Sequence, residues 1–160
     1  MLYSRSAQYA IRALVHIASL PQDEYSMART IAKDADIPAH FLAKILQDLA
    51  RDGFLKSIKG PGGGFRLAQP AREISLLRVV ESVDGSACMN RCPMGLGECT
   101  GKTACGMHAG WKAVRSRIME YMGATSVADV AKSLNDKSQK MGEKKLPRPR
   151  RHVENRVSGR

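Results

Sequence analysis

Residues 38–67 read PAHFLAKILQDLARDGFLKSIKGPGGGFRL, and this stretch decides the fold. Its first half has apolar residues at helical spacing, which predicts a helix from Pro38 to about Asp52 that Gly53 closes with a left-handed cap. Its second half has two short apolar-alternating runs around a glycine-rich turn, which predicts a β-hairpin. A phosphate-binding loop is excluded, because a strand-like Phe-Arg-Leu follows the glycines where such a loop would open a helix. The stretch therefore predicts the recognition helix and the wing of a winged helix-turn-helix.

The two faces of the predicted recognition helix differ in chemistry. Its apolar stripe consists of Leu42, Ile45, Leu46 and Leu49. Its opposite face carries His40, Lys44, Gln47 and Arg51, which are residue types that can hydrogen-bond to base edges or phosphates in a major groove. A polar face exposed only to solvent is the alternative, and the adjoining hairpin favours DNA. We expect Lys44 and Gln47 to meet base edges, and His40, Arg51, Lys59 and Arg66 to make backbone or wing contacts.

The rest of the chain predicts further helices on both sides of this unit. Their expected ranges are Ser4 to Leu20, Ser26 to Asp34 with Ser26 as the cap, Ile74 to Val83, Met107 to about Met122, and Val127 to Leu134 with Ser126 as the cap. The predicted fold class is therefore mostly α with a small β-hairpin wing, a winged helix-turn-helix followed by a long dimerisation helix.

The dimerisation helix is predicted from its apolar spacing. Apolar side chains recur at intervals of three, four and three residues, at Trp111, Val114, Ile118 and Tyr121. This heptad-like seam packs either against the chain's own core or against a second copy. Because DNA readers of this size usually bind half-sites in pairs, we favour a homodimer on a palindromic operator of double-stranded DNA.

The charge of the chain also points to a polyanionic partner. The formal net charge is +11 and the sequence pI is about 9.9, and basic residues near phosphates displace condensed counterions. Residues 136–160 contain nine basic and three acidic residues, which predicts a disordered basic tail.

The apolar run from Ala7 to Leu20 is interrupted by Arg12 and His16 and is not expected to be a secretory signal or a membrane span, so we expect a cytoplasmic protein.

All four cysteines fall within one glycine-rich stretch, Cys88 to His108, which reads CMNRCPMGLGECTGKTACGMH. The stretch has few large apolar side chains, so we expect it to be ordered by a bound ion or cluster. Clustered cysteines in a reducing compartment favour metal or redox chemistry over disulfides. Zinc is a weaker alternative, because structural zinc sites usually have shorter cysteine spacings, and a metal-free thiol redox switch is another.

Three sequence motifs, which follow one another along the chain, resemble those of a known family. They are Tyr9-Ala10-Ile11-Arg12-Ala13-Leu14 in the first helix, Gly60-Pro61-Gly62-Gly63-Gly64-Phe65 in the wing, and Arg91-Cys92, Cys99 and Cys105-Gly106-Met107-His108-Ala109-Gly110-Trp111 in the cysteine stretch. The chain resembles, over residues 1 to about 135, the winged-helix iron–sulfur transcription regulators of the IscR, NsrR and RirA type (the Rrf-two family). The cysteine–histidine part is most similar to IscR.

The resemblance implies a dimeric transcription factor, a repressor here, whose DNA affinity changes with the state of an iron–sulfur cluster that senses iron, redox or nitric oxide status. It implies Cys92, Cys99, Cys105 and His108 as ligands, with Cys88 as the alternative fourth ligand on grounds of thiolate chemistry alone. A 2Fe–2S cluster is favoured and a 4Fe–4S cluster is the alternative.

The chain departs from the family pattern at three points. The first gap between the ligand cysteines is six residues, where the IscR pattern has five. Gln8 stands where nitric-oxide-sensing relatives place a first-helix carboxylate ligand, which argues against that arrangement here. Ala43 stands where IscR-type proteins carry an acidic residue on the recognition helix, so the IscR operator is not assumed.

The sequence thus divides into a winged-helix DNA-binding domain (1–83), a cysteine-rich cluster-binding loop (84–108), a dimerisation helix with a terminal helix (109–135) and the basic tail (136–160).

Other classes of function are less favoured. An electron carrier would share the cluster but would have no use for a winged helix. A regulator with structural zinc or a thiol switch is the second hypothesis. No nucleophile lies beside an evident base, so no enzyme is expected.

Overall fold

The fold consists of six α-helices and one two-stranded antiparallel hairpin over the part of the chain that the structure describes. The computed structural model describes residues 3–21, 23–99 and 105–141. The elements are α1 (Arg5–Ala18), α2 (Ala28–Asp34), α3 (Ala39–Arg51), β1 (Leu55–Ile58), β2 (Gly64–Leu67), α4 (Leu76–Asp84), α5 (His108–Ala124) and α6 (Val127–Met141), with short 3₁₀ turns at Ala71–Glu73 and Ser86–Asn90. The predicted winged helix-turn-helix class is confirmed.

Helix α1 is the central element of the core. The hydroxyl of Ser4 caps it by accepting from the Ala7 N–H. Two faces of the helix are buried, because α1 packs on α3 and α2 along one side and on α4 and α6 along the other. Leu14 is completely buried where these elements meet.

Helix α2 begins one residue later than the sequence predicted, and the predicted cap is wrong. Met27 occupies the N-cap position without a side-chain hydrogen bond. Ser26 is instead buried and pairs with Phe65 of the hairpin through two backbone hydrogen bonds of 3.0 and 2.9 Å. This bridge attaches the start of α2 to the wing, so Ser26 acts as a one-residue third strand.

Helix α3 and the hairpin have the predicted arrangement. Pro38 is at the N-cap of α3 and Gly53 follows the helix with a φ of +82°. The strands pair with Leu55 opposite Leu67 and Ile58 opposite Gly64. A Cβ on Gly64 would lie 2.3 Å from the Ser26 carbonyl oxygen, so only glycine permits this close approach.

The main core lies between α1, α2, α3, α4 and α6. Its completely buried large side chains are Leu14, Ile31, Leu42, Leu46, Leu49, Ile74, Val79 and Val127. A second, smaller apolar cluster consists of Ala7, Val80, Cys88, Met89 and Met122, and we call it the loop cluster. It packs the beginning of the cysteine stretch against α1, α4 and α5.

Helix α5 begins one residue after the predicted start at Met107 and ends two residues past the predicted end at Met122, and the chain itself buries little of it. Val114 and Tyr121 are 50% and 67% exposed, and Trp111 and Ile118 are half-buried. The seam therefore does not pack fully into the chain's own core.

Helix α6 continues seven residues past the predicted end at Leu134, to Met141. The first residues of the predicted basic tail are thus helical. The remainder, residues 142–160, lies outside the described residues.

Candidate nucleic-acid interface and metal centre

The polar face of α3 is exposed as the sequence predicts. His40, Lys44, Gln47 and Arg51 are all exposed, on the side of the helix opposite the buried Leu42, Ile45, Leu46 and Leu49. Because α3 is anchored by its apolar stripe, these four side chains project together from one surface. We call this surface the α3 face.

One side chain of the α3 face is already paired within the helix. Arg51 donates to the Asp48 carboxylate at 2.7 Å, and its Nε lies 3.9 Å from Asp52 Oδ1. The Arg51 side chain is 73% exposed, so these ion pairs contribute little to stability and a phosphate can replace them.

Sequence reasoning missed Phe41, which borders the α3 face. Phe41 is 53% exposed, and its ring centroid lies 4.1 Å from that of His40 and 6.4 Å from that of Tyr9. A bulky apolar residue outside the buried stripe is the signal that could have found it, since such a residue has no place in the core.

The wing presents lysines around a turn of glycines. Lys56 and Lys59 are exposed, and the described residues contain no carboxylate paired with either of them. Gly60 and Gly62 at the tip have φ values of +97° and +75°, which explains the need for glycine there. The exposed glycine tip lets the backbone of the wing approach another molecule closely.

Arg66, the other predicted wing contact, is turned toward the α1–α2 connection. Its guanidinium donates to Asp23 at 3.1 Å and lies 5.2 Å above the Tyr25 ring. The hydrogen bond with Tyr25 and the charge of Asp23 raise the pKa of Arg66. Only 26% of the Arg66 side chain is exposed, whereas 92% of Asp23 is.

The cysteine stretch begins as a small hairpin. The Cys99 N–H donates to the Asn90 carbonyl at 2.7 Å, and the Cys92 N–H donates to the Gly97 carbonyl at 2.8 Å. Gly95 and Gly97 turn the chain with φ values of +76° and +84°. This pairing places Cys92 and Cys99 on opposite arms of the hairpin, close enough for their thiols to be in contact.

Pairwise contacts link three cysteines and one histidine beside this hairpin. Cys99 Sγ lies 3.2 Å from His108 Nδ1, and the Cys92 thiol is within hydrogen-bonding contact of the Cys105 and Cys99 thiols. His108 is the first residue of α5, so the helix fixes the position of its imidazole. In the described part of the chain, no three His, Cys, Asp or Glu side chains are already arranged as ligands of a single metal ion.

The backbone around Cys92 stabilises its thiolate form. The N–H groups of Met94 and Leu96 point at the sulfur and lower the pKa of the Cys92 thiol, and the neighbouring thiols of Cys105 and Cys99 add smaller effects. A thiolate is the form of cysteine that binds metal.

Cys88 has a different environment. It is only 7% exposed and belongs to the loop cluster beside Ala7 and Met122. Burial and the nearby Asp84 carboxylate raise the pKa of the Cys88 thiol. Because burial in apolar surroundings disfavours the thiolate, Cys88 is a poorer ligand than its spacing suggests.

The donor set fits an iron–sulfur cluster. Three thiols and an imidazole are soft or intermediate ligands that iron in clusters accepts, and no carboxylate belongs to the group.

None of the described helices is both long and apolar enough to cross a bilayer.

The fold is shared with solved structures. CymR of B. subtilis, described as the global cysteine regulator, superposes with a TM-score of 0.69 at 19% identity over 81% of this chain and 95% of that chain. IscR of T. potens superposes with a TM-score of 0.66 at 19% identity over 91% of this chain and 92% of that chain.

Sequence comparison gives the same family. The HTH-type transcriptional regulator IscR of Vibrio campbellii is 29% identical over 132 residues, which cover 82% of this chain and 78% of that protein. IscR of Xenorhabdus nematophila is likewise 29% identical, over 133 residues that cover 83% of this chain and 80% of that protein. The family described as "Rrf2: Iron-dependent Transcriptional regulator" matches residues 3–133. The chain therefore belongs to the Rrf2 family of transcription regulators and is not an enzyme.

Proposed function

We propose that this protein is a homodimeric DNA-binding repressor whose affinity for a palindromic operator depends on an iron–sulfur cluster held by Cys92, Cys99, Cys105 and His108. The observation that carries the proposal is the set of pairwise contacts that links three thiols and one imidazole beside the cysteine hairpin. The iron-dependent description of the family and the names of the IscR relatives support it.

The DNA contacts are proposed on the α3 face and the wing. Lys44 and Gln47 meet base edges in the major groove, because they lie near the middle of the exposed face. His40, Arg51 and Lys59 meet the backbone or the minor groove, and Arg66 joins them by exchanging Asp23 for a phosphate.

The cysteine hairpin is linked to the DNA-binding domain through its first residues. Cys88 and Met89 pack in the loop cluster against Ala7 of α1. Helix α1 in turn packs against α3. Any shift of the hairpin is therefore passed to α1 and to the recognition helix behind it.

A second link joins the same region to the start of α1. The Ser4 N–H donates to Asp84 Oδ2 at 2.7 Å, and the Ser4 hydroxyl also donates to Asp84. Asp84 is the last residue of α4, four residues before Cys88. The end of α4 and the beginning of α1 thus move together.

When bound, a cluster supplies iron–thiolate and iron–imidazole bonds that respond to iron supply, oxidation and nitric oxide. Cys92 and Cys99 lie on the two arms of the hairpin, Cys105 lies three residues before α5, and His108 is the first residue of α5. Their relative positions decide whether the hairpin and α5 are held together. Two states of the hairpin with unequal DNA affinity constitute the switch.

Dimerisation through α5 is proposed from its exposed seam. Val114 and Tyr121 are two of the large apolar side chains that remain exposed among the described residues, although they lie on a long helix. Such a face is typical of an interface between copies. Sedimentation of the Tyr121→Lys variant tests this, with the neighbouring Lys112→Glu as the control. A dimeric Tyr121→Lys variant contradicts an α5 interface.

A thiol switch without metal is the second candidate. The contact between the thiols of Cys92, Cys99 and Cys105 favours it, since neighbouring thiols can form a disulfide. The structural relatives include an oxidised form of Staphylococcus aureus CymR.

The deciding experiment is anaerobic purification followed by iron, sulfide and zinc analysis and by DNA binding. Matched iron and sulfide, with different affinities of the cluster-bound and cluster-free forms for a selected operator, is the expected result. Zinc without sulfide supports a structural metal, and a metal-free protein whose DNA affinity changes with thiol oxidation supports the thiol switch. Equal affinities in all forms contradict any switch at this site.

A further inference from the structure

A cavity of about 620 Å³ lies beside the cysteine hairpin, between the beginning of α1, the end of α4 and α5. Its volume is within the range of small-molecule sites. Its walls are formed by Tyr3, Met89, Pro93, Trp111 and Ile118 on the apolar side and by Ser4, Asp84, Arg91 and Arg115 on the polar side, together with Cys88 and Cys92.

Two hydrogen-bond donors in this wall have no partner among the described residues. Trp111 Nε1 and Arg115 NH1 are both shielded from solvent, and neither has an acceptor. They lie one helical turn apart on α5, so their side chains are neighbours. A buried donor without an acceptor costs about 1–3 kcal/mol, which an acceptor brought by another molecule would recover.

The charges around the cavity indicate which kind of hydrogen-bond acceptor a bound molecule would carry. Arg91 and Arg115 contribute two positive charges, and Asp84 contributes one negative charge that is engaged with Ser4. A single negative charge balances this set, whereas a dianion would be repelled by Asp84. A carboxylate also matches the planar guanidinium group of Arg115 in shape.

We propose that this cavity binds a small monocarboxylate with an aromatic or aliphatic body. The carboxylate accepts from Arg115 and Trp111 Nε1 after a small rotation of the two side chains, and the body lies among Tyr3, Met89 and Ile118. The inference goes beyond the proposed function, because it gives the protein a second type of ligand beside Cys92.

The position of the cavity gives such a ligand a route to the rest of the protein. It borders Ser4 at the start of α1 and Cys92 in the hairpin. A ligand there contacts the DNA-binding domain, the cysteine hairpin and α5 simultaneously.

Trp111 provides a direct measurement, since it is the only tryptophan of the 160-residue chain. The full-length protein is titrated with sodium benzoate at constant ionic strength, and tryptophan emission and calorimetric heat are recorded. Benzyl alcohol serves as a neutral probe of similar shape. We expect saturable binding of benzoate with a dissociation constant roughly tenfold below that of benzyl alcohol, the ratio that one good charge-assisted hydrogen bond produces.

The variants assign the site. Arg115→Gln should bind benzoate no better than benzyl alcohol, and Arg91→Gln, which changes an exposed residue, should weaken benzoate binding several-fold. Arg117→Gln is the matched control, because Arg117 is exposed on the same helix and does not line the cavity. An unsaturable response of the wild-type protein overturns the proposal. Wild-type affinity in both the Arg115 and the Arg91 variants overturns it as well.

Discussion

Cys99 Sγ lies 3.2 Å from His108 Nδ1, although nine residues separate the two along the chain. The thiol belongs to the cysteine hairpin, and the imidazole belongs to the first turn of α5. This contact joins the hairpin to the helix that presents the proposed dimer seam, so the state of the ligand set and the position of α5 are linked.

The first prediction concerns the fourth ligand. His108→Ala should lower iron and sulfide retention during anaerobic purification roughly tenfold or more and change the absorbance spectrum, because one of four ligands is lost. Cys88→Ala should retain the cluster, since Cys88 is buried in the loop cluster, and should cost only about 1 kcal/mol of unfolding free energy. If Cys88→Ala loses the cluster and His108→Ala keeps it, the assignment is reversed.

The second prediction concerns the pairing of Arg66. Asp23→Asn removes the carboxylate that holds the Arg66 guanidinium at 3.1 Å and leaves Arg66 free to reach a phosphate. The affinity for non-specific DNA should rise, because Arg66 then meets a phosphate without first giving up its ion pair with Asp23. The measurement is a salt titration of fluorescent duplex binding.

The same titration on Asp23→Asn with Arg66→Gln is the control. The gain in affinity should disappear in this double variant, and the slope of log K against log salt should become shallower by about one than in Asp23→Asn alone. If Asp23→Asn leaves the affinity unchanged and Arg66→Gln leaves the slope unchanged, Arg66 attaches the wing to the α1–α2 connection and does not bind DNA.

Local patterns were sufficient to predict most of the DNA-binding domain. The stripe of Leu42, Ile45, Leu46 and Leu49 fixes which face of α3 is buried, and the opposite face follows from helical geometry. The glycines from Gly60 to Gly64 between two alternating runs fix the hairpin, because few other structures need so many glycines.

Long-range pairing explains what the sequence could not predict. A serine before a short helix is typical of an N-cap, yet Ser26 is 39 positions away from Phe65, the residue with which it pairs. Arg66 is paired with Asp23 over a similar distance, 43 residues. The end of α6 was missed for another reason: residues 135–141 contain no glycine or proline to stop a helix.

The candidate ligand set could be predicted only in part from the sequence. The spacing of the cysteines and the resemblance named Cys92, Cys99, Cys105 and His108, and the structure brings their side chains together. The burial of Cys88 could not be predicted, because it depends on Met122 and Ala7, which are distant in sequence.

The third prediction separates base contacts from backbone contacts. Lys44→Ala and Gln47→Ala should each reduce the preference for the operator over altered sites by about 1–3 kcal/mol, because these side chains lie on the α3 face. Lys59→Ala should instead weaken binding to all sequences alike and lower the salt slope by about one. Binding to a panel of operator variants at several salt concentrations measures both quantities. Unchanged profiles for all three variants would place the DNA interface elsewhere.

The fourth prediction concerns Gly64, where the wing meets the beginning of α2. An added Cβ would lie 2.3 Å from the Ser26 carbonyl oxygen, at a φ of +151° that side chains rarely adopt. Gly64→Ala should therefore break the bridge between Ser26 and Phe65 and lower the free energy of unfolding by about 2 kcal/mol or more. Urea unfolding followed by circular dichroism measures the loss.

Gly62→Ala is the matched control for this strain. Gly62 has a φ of +75° but nothing within 4 Å of an added Cβ, so its substitution adds backbone strain without a collision and should cost only about 1 kcal/mol. The difference between the two variants isolates the contact with Ser26, because both are alanines at positive φ in the same turn region. Equal losses would show that the close approach at Ser26 relaxes freely, and that the wing is attached to α2 more loosely than the two hydrogen bonds indicate.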